Sequence, residues 1–179
     1  MLIGVTGKAG SGKDTFAKYF IEQRDFFRYS LADPIKRMVE AGFGLTPDVW
    51  DDREKKEQEI EWLGRSPRYL AQTLGTEWGR ELVHHDLWLL LAEQFSASYQ
   101  RVIIPDVRFD NEAEWIKEHG GYVVSVEARG MAVDNHKHAS ESGVHPAYID
   151  TTVKNTGTIE QLHIAAEGLY SVLRWDTSA

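Results

Sequence analysis

The chain has 179 residues, a formal net charge of −8 and a pI near 5.4, with 42% apolar and 27% charged residues. That composition excludes a collagen-like, coiled-coil or largely disordered chain, and the length lies within the usual range of a single domain, which would bury roughly 70% of its unfolded surface without disulfide staples. The lack of cysteine excludes a thiolate zinc site and a cysteine nucleophile and is compatible with a reducing cytosol; the acidic balance disfavours bulk nucleic-acid binding but leaves anionic substrates open to locally focused positive charge.

Leu2 to Thr6 is a short apolar run bounded by glycine and predicts a buried strand. A helical pattern follows from Asp14 to about Gln23, with Phe16, Ala17, Phe20 and Ile21 on one face, and Phe26 to Leu31 predicts a second strand. Asp33-Pro34 is a helix start, with Asp as N-cap and Pro at the first helical position, ahead of an apolar stripe of Ile35, Met38 and Val39. Asp51 to Glu61 reads as a solvated helix or loop. Ser66-Pro67 repeats the start signal before a helix carrying Leu70, Leu74 and Trp78; His84 to Asp86 reads as a helix end or turn, and Leu87 to Phe95 as a buried helix.

Arg101 to Asp106 predicts the third strand, with its polar residues at the C-terminal end. Asp110 starts a helix through Trp115 and Ile116, closed by the glycines after His119. Tyr122 to Val126 and Tyr148 to Lys154 predict strands four and five, and Thr158 caps a last helix through Leu162, Ala165, Leu169 and Leu173. Between those strands, Arg129 to His145 is a polar, glycine-punctuated loop; its His136, His138 and His145 lack a cysteine or a tight helical pair, which argues against zinc. No apolar stretch approaches 18 residues and no apolar run follows a basic start, so neither a membrane span nor an export signal is predicted. Strands alternating with helices predict an α/β fold whose parallel sheet is covered on both faces, with ligands at the carboxyl ends of the strands.

Gly7-Lys-Ala-Gly-Ser-Gly12-Lys13 sits directly between the first strand and the first helix, in the spacing G-x-x-x-x-G-K of a phosphate-binding loop. Glycines let the backbone turn so that successive N–H groups face phosphate oxygens, the helix N-terminus adds positive potential, and Lys13 reaches the β- and γ-phosphates. Gly10, Ser11, Gly12, Lys13, Asp14 and Thr15 are therefore candidates for holding a nucleoside triphosphate. The common pattern places Ser or Thr after the lysine to hold Mg²⁺; here Asp14 stands there, followed by Thr15. A carboxylate is a hard oxygen ligand, so Asp14 and Thr15 are candidate metal residues, Asp14 being otherwise an acidic residue favoured in a first helical turn. Asp106, ending the third strand, has the position of a second carboxylate that orients Mg²⁺ or its waters.

The chain resembles the bacteriophage deoxynucleoside monophosphate kinases, within the P-loop nucleoside monophosphate kinase fold. The resemblance spans nearly the whole sequence. It rests on GKAGSGKDT at 7–15, LADPIK at 31–36, QTLGTEWGR at 72–80, DVRFDNE at 106–112, HASE at 138–141 and NTG at 155–157. It implies a single P-loop kinase domain over 1–179 with a three-layer α/β architecture and a sheet of about five parallel strands. A helical NMP-binding insertion would span about 33–86 and a lid about 129–145. The activity implied is ATP-dependent phosphorylation of deoxynucleoside 5′-monophosphates, with ATP and Mg²⁺, in the cytoplasm (the host's, for a viral chain); a homodimer is left open.

Transfer between two anionic nucleotides needs positive charge on both sides of the moving group. Arg37, Arg65, Arg68 and Arg80 lie in the insertion, Arg108 follows the third strand and Arg129 the fourth. Lys13, Arg68, Arg108 and Arg129 are taken as catalytic, and Lys36, Arg37, Arg65 and Arg80 as contacts to the acceptor. Asp33 either positions the acceptor or caps its helix. Gln72, Thr76 and Trp78 are candidates for reading base or sugar, with core packing the alternative for Trp78. By the resemblance His138, Ser140 and Glu141 belong to the lid and touch the acceptor, as do Asp106 and Arg108, and Asn155 lies by the adenine ring. Another small-molecule P-loop kinase, such as a dephospho-coenzyme A kinase-like enzyme, is the nearest alternative. A guanine-dependent switch would need N/T-K-x-D and D-x-x-G sequences, which the chain lacks.

Overall fold

The computed structural model describes residues 1–128 and 143–176. The elements are β1 (Leu2–Thr6), α1 (Lys13–Arg24), β2 (Phe27–Arg28), α2 (Asp33–Phe43), α3 (Arg53–Glu57), α4 (Pro67–Thr73), α5 (Leu87–Ser96), β3 (Val102–Ile104), α6 (Asp110–Glu118), β4 (Tyr122–Ala128), β5 (Thr151–Asn155) and α7 (Ile159–Asp176). The chain divides into two compact units, Met1–Tyr29 with Phe95–Ala179, and Ser30–Gln94.

In the first unit, five strands among the described residues form one sheet in the order β2-β3-β1-β4-β5, every neighbouring pair parallel. β1 is buried along its whole length, as a central strand covered on both faces must be. Its alternation sorts the two layers. Ile3 and Val5 join Phe16 and Phe20 of α1 and Leu162, Ala166, Tyr170 and Leu173 of α7 in one core. On the other face, a Cβ at Gly4 would lie 2.4 Å from Ile116 Cδ1, so glycine there lets α6 sit against the sheet. No helix among the described residues is long and apolar enough to cross a membrane.

The strands are shorter than their apolar runs. β3 stops at Ile104 because Pro105 has no N–H to continue the ladder, although Val107 N still donates to Val5 O at 3.2 Å. β2 keeps only Phe27 and Arg28, at the sheet edge; Tyr29 N nevertheless donates to Ile103 O. Strand five, expected from Tyr148, begins at Thr151, and Tyr148 instead ends the 3-10 turn Pro146–Tyr148. Thr158 caps α7 as its sequence suggests: its N–H donates to Gln161 Oε1 at 3.0 Å while Gln161 N donates to Thr158 Oγ1 at 3.4 Å.

Against the α1–α7 core lies a polar network. Glu167 accepts from the Tyr19 hydroxyl at 2.5 Å and from Arg24 Nε and Nη2 at 3.0 and 2.5 Å. The Tyr19 bond, then the Arg24 bonds, hold the Glu167 carboxyl below its ordinary value of 4.5. Burial and the bond to Glu167 raise the Tyr19 hydroxyl.

In the second unit, Ser66 caps α4 through Tyr69 N, and Asp52 caps α3 through Glu54 N and Lys55 N. Asp33 does not cap α2. The cap is Ala32, and Asp33 is already helical, because Asp33 N closes a turn onto Ser30 O that leads straight into the helix. Of the predicted α2 stripe only Val39 is buried, Met38 being 42% exposed. The helix from Pro67 changes pitch instead of ending: Leu74–Val83 is π-helical, and His84 N donates to Gly79 O five residues back. Trp88, 1% exposed, packs against this segment and donates from Nε1 to Gly75 O at 2.7 Å. A Cβ at Gly79 would lie 2.5 Å from Trp88 Cζ2.

Two outcomes follow from these contacts. Gly79→Ala should destabilise the fold by about 2 kcal/mol through overpacking against an indole that has nowhere to move, read by chemical denaturation. Because the Glu167 carboxyl is lowered in the folded state, its contribution is complete above the unfolded value near 4.5 and is lost as pH falls through the folded value. The melting temperature should therefore drop below about pH 4.5, and Glu167→Gln should be less stable than wild type at neutral pH with a shallower acid limb.

Candidate functional site

The loop leaves β1 at Gly7, whose φ is +147°; a Cβ there would lie 2.4 Å from the Val126 carbonyl oxygen of β4. Gly10 and Gly12 also have positive φ, +76° and +94°, where side chains are strained. Ser11 N donates to Lys8 O, and Gly12, the N-cap of α1, accepts from Phe16 N. Lys13 is the first helical residue, Asp14 is exposed in the first turn and Thr15 is half-buried. Tight turning thus brings the loop amides and the helix N-terminus to the carboxyl end of the sheet, as an anion-binding concavity requires.

Two other strand ends lie at the same carboxyl edge of the sheet. Asp106 follows β3, the neighbour of β1, and is half-buried just past the point where Val107 N bonds to Val5 O. Asn155, the last residue of β5, donates from Nδ2 to Ser11 O at 2.9 Å. Its amide is therefore turned toward the loop backbone.

Arg108 is exposed on the loop after β3. The residue that shapes this loop is Glu112, which motif spacing alone did not mark as a site residue. Its side chain is 2% exposed, and Oε2 accepts from Arg108 N at 2.6 Å and Phe109 N at 3.1 Å. The available signal was local: a glutamate three residues after the Phe109 N-cap is placed to reach back to the cap N–H.

These residues fit a triphosphate with a divalent cation. The Ser11 hydroxyl is buried against Gly7, 2.7 Å from where a Cβ would stand, with no hydrogen-bond partner among the described residues. No group of three or more potential metal-ligating side chains exists among the described residues. Mg²⁺ is bound through one or two carboxylates together with phosphate and water oxygens, and the exposed Asp14 and half-buried Asp106 are carboxylates at this end of the sheet.

In the second unit, Asp33, Lys36 and Arg37 sit on the first turns of α2 and Arg68 and Gln72 on α4, while Thr76, Trp78 and Arg80 ride on the π-helical stretch. Lys36 lies over the Trp50 ring at 5.9 Å, Arg65 over the Tyr69 ring at 5.1 Å, and Arg68 Nη1 donates to Glu57 at 3.0 Å. Trp78 is 39% exposed, so it is not a core residue of this unit. Arg129, His138, Ser140 and Glu141, with nearly all of the predicted lid, lie outside the described residues.

Comparison with known proteins places this arrangement. The family model for deoxynucleotide monophosphate kinase matches residues 1–63 and 51–165. A protein of Acanthamoeba polyphaga mimivirus provisionally named deoxynucleotide monophosphate kinase is 33% identical, over 91% of this chain and 92% of its own. The deoxynucleoside-5′-monophosphate kinase of Escherichia phage T5 is 30% identical, over 87% and 89%. Among solved structures, shikimate kinase from Aquifex aeolicus superposes with a TM-score of 0.51 at 16% identity, covering 100% of this chain and 99% of that one, a likeness of fold. With a phosphate loop at the end of β1 and a family model that runs through both units, the chain belongs to the deoxynucleotide monophosphate kinase family.

Proposed function

We propose that the chain transfers the terminal phosphoryl group of ATP directly to deoxynucleoside 5′-monophosphates, with Mg²⁺. The observation that carries this reading is the phosphate loop, built with three positive-φ glycines at the sheet's carboxyl end, in a chain of this kinase family. Gly10 to Thr15 hold the donor phosphates with backbone N–H groups, and Lys13 spreads the charge that builds on the β–γ bridge. Asp14 and Asp106 hold the cation or its waters, and Mg²⁺ bound there neutralises phosphate charge. Arg108 faces the transferred group from the loop after β3. Asp33, Lys36, Arg37, Arg65, Arg68, Gln72, Thr76, Trp78 and Arg80 make residues 30–94 the acceptor-binding region. No base needs to be strong, because the acceptor phosphate is already a nucleophile; positioning and electrostatics carry the rate.

The deciding experiment is ADP formation from Mg·ATP across the eight common ribo- and deoxyribonucleoside monophosphates. Turnover with deoxynucleotides is the expected result, and none with any of the eight would overturn the reading. Lys13→Ala should lower kcat by at least about a hundredfold with an unchanged far-UV spectrum. Asp14→Asn keeps size and one oxygen but removes charge. The Mg²⁺ concentration for half-maximal rate should rise by about fivefold, while metal-free ADP binds as well or better because a carboxylate near phosphates repels them. An unchanged Mg²⁺ midpoint would reduce Asp14 to a favourable first-turn residue.

A further inference from the structure

Asn155 reaches across from the end of β5 and touches the phosphate loop at two successive residues. Nδ2 donates to the Ser11 carbonyl at 2.9 Å, and the same atom lies 2.3 Å from the place a Cβ would take on Gly12. Ser11 is 1% exposed, and its N–H is already committed to Lys8 O. Gly12 sits at φ +94°, and its carbonyl accepts the first helical bond of α1 from Phe16 N. The stretch that must turn its amides inward is thus tied at Lys8, capped onto α1 and held from outside by a side chain of another strand. β5 is itself fixed to the sheet up to its last residue, because Ala128 of β4 pairs with Asn155.

Carbonyl Ser11 O faces the wrong way for a phosphate, since its oxygen would repel one, and it needs a donor to stay there. Asn155 supplies that donor. That bond commits one of the two carboxamide N–H groups to the loop backbone.

We propose that Asn155 is a positioning residue that locks the phosphate loop in its anion-receiving shape, acting through the loop backbone. The inference rests on the loop being the donor-phosphate site. A lock and a base contact differ in one measurable respect. The lock acts on any ligand that uses the loop phosphates, whereas a base contact acts only on ligands that carry the base.

The test is calorimetric binding of inorganic tripolyphosphate, ADP and GDP to wild type, Asn155→Ala and the volume-conserving Asn155→Leu. Both replacements are neutral, so neither adds repulsion. Loss of one hydrogen bond that organises the loop should weaken tripolyphosphate and ADP alike by about tenfold, with the ADP-to-GDP preference unchanged. Weaker ADP with unaltered tripolyphosphate would overturn the lock in favour of base recognition. Unchanged affinity for both would overturn it outright. In wild type, the Asn155 side-chain amide protons should exchange more slowly than those of exposed asparagines with or without tripolyphosphate; free exchange would also refute the lock, and this measurement needs no variant. Wild type that binds neither tripolyphosphate nor ADP would instead remove the phosphate-site reading itself, before any variant is compared.

Discussion

A phosphate group can be held by backbone amides only where the chain turns without side chains in the way. That requirement organises the first unit. Three glycines adopt positive φ between Thr6 and Lys13, and at Gly7 even a methyl group would strike the Val126 carbonyl. A loop so poor in side chains has little to hold itself in place. Its shape is imposed from outside, by β1 and β4 beneath it, α1 behind it and Asn155 above Ser11. The parallel sheet serves this end: every strand finishes on the same side, so Gly7, Asp106 and Asn155, nearly 150 residues apart in sequence, reach one rim.

The same logic governs the loop after β3. A buried carboxylate is costly unless its oxygens accept hydrogen bonds. Glu112 meets that condition by taking the N–H groups of Arg108 and Phe109, and in doing so fixes the backbone from which the Arg108 side chain departs. Helix capping and site construction are here one interaction. The fixed element is the backbone, and the arginine itself is exposed.

The second unit is built on different terms. Several of its aromatic residues stay near the surface, with Trp62 71% exposed and Trp78 39% exposed, and arginine and lysine side chains lie over rings at Tyr69 and Trp50. At a tight contact in this unit Gly79 lies against the Trp88 indole, whose N–H donates to the Gly75 carbonyl. The π-helical pitch over Leu74–Val83 changes which residues share a face, so Thr76, Trp78 and Arg80 do not project as a 3.6-residue period would place them.

Much of this was legible in the residues alone. Buried apolar runs ending in polar residues marked β1 and β3, the glycine spacing with Lys13 marked the phosphate loop, and Ser66, Thr158 and the glycines after His119 marked helix ends through local hydrogen bonds. These are short-range effects, settled within a few residues of chain, and sequence spacing reports them directly. What the sequence could not determine depends on atoms brought together from far apart. The partner of the Asn155 amide is 144 residues away, and the Trp88 contact that demands Gly79 belongs to a different helix. The α2 cap also escaped it, because a turn closed onto Ser30 O makes Asp33 already helical in place of the side-chain cap that Asp33-Pro34 suggests. The residue types needed for phosphate chemistry were thus written locally, while the hydrogen bonds that hold them at one rim exist only once the sheet has set its strand order.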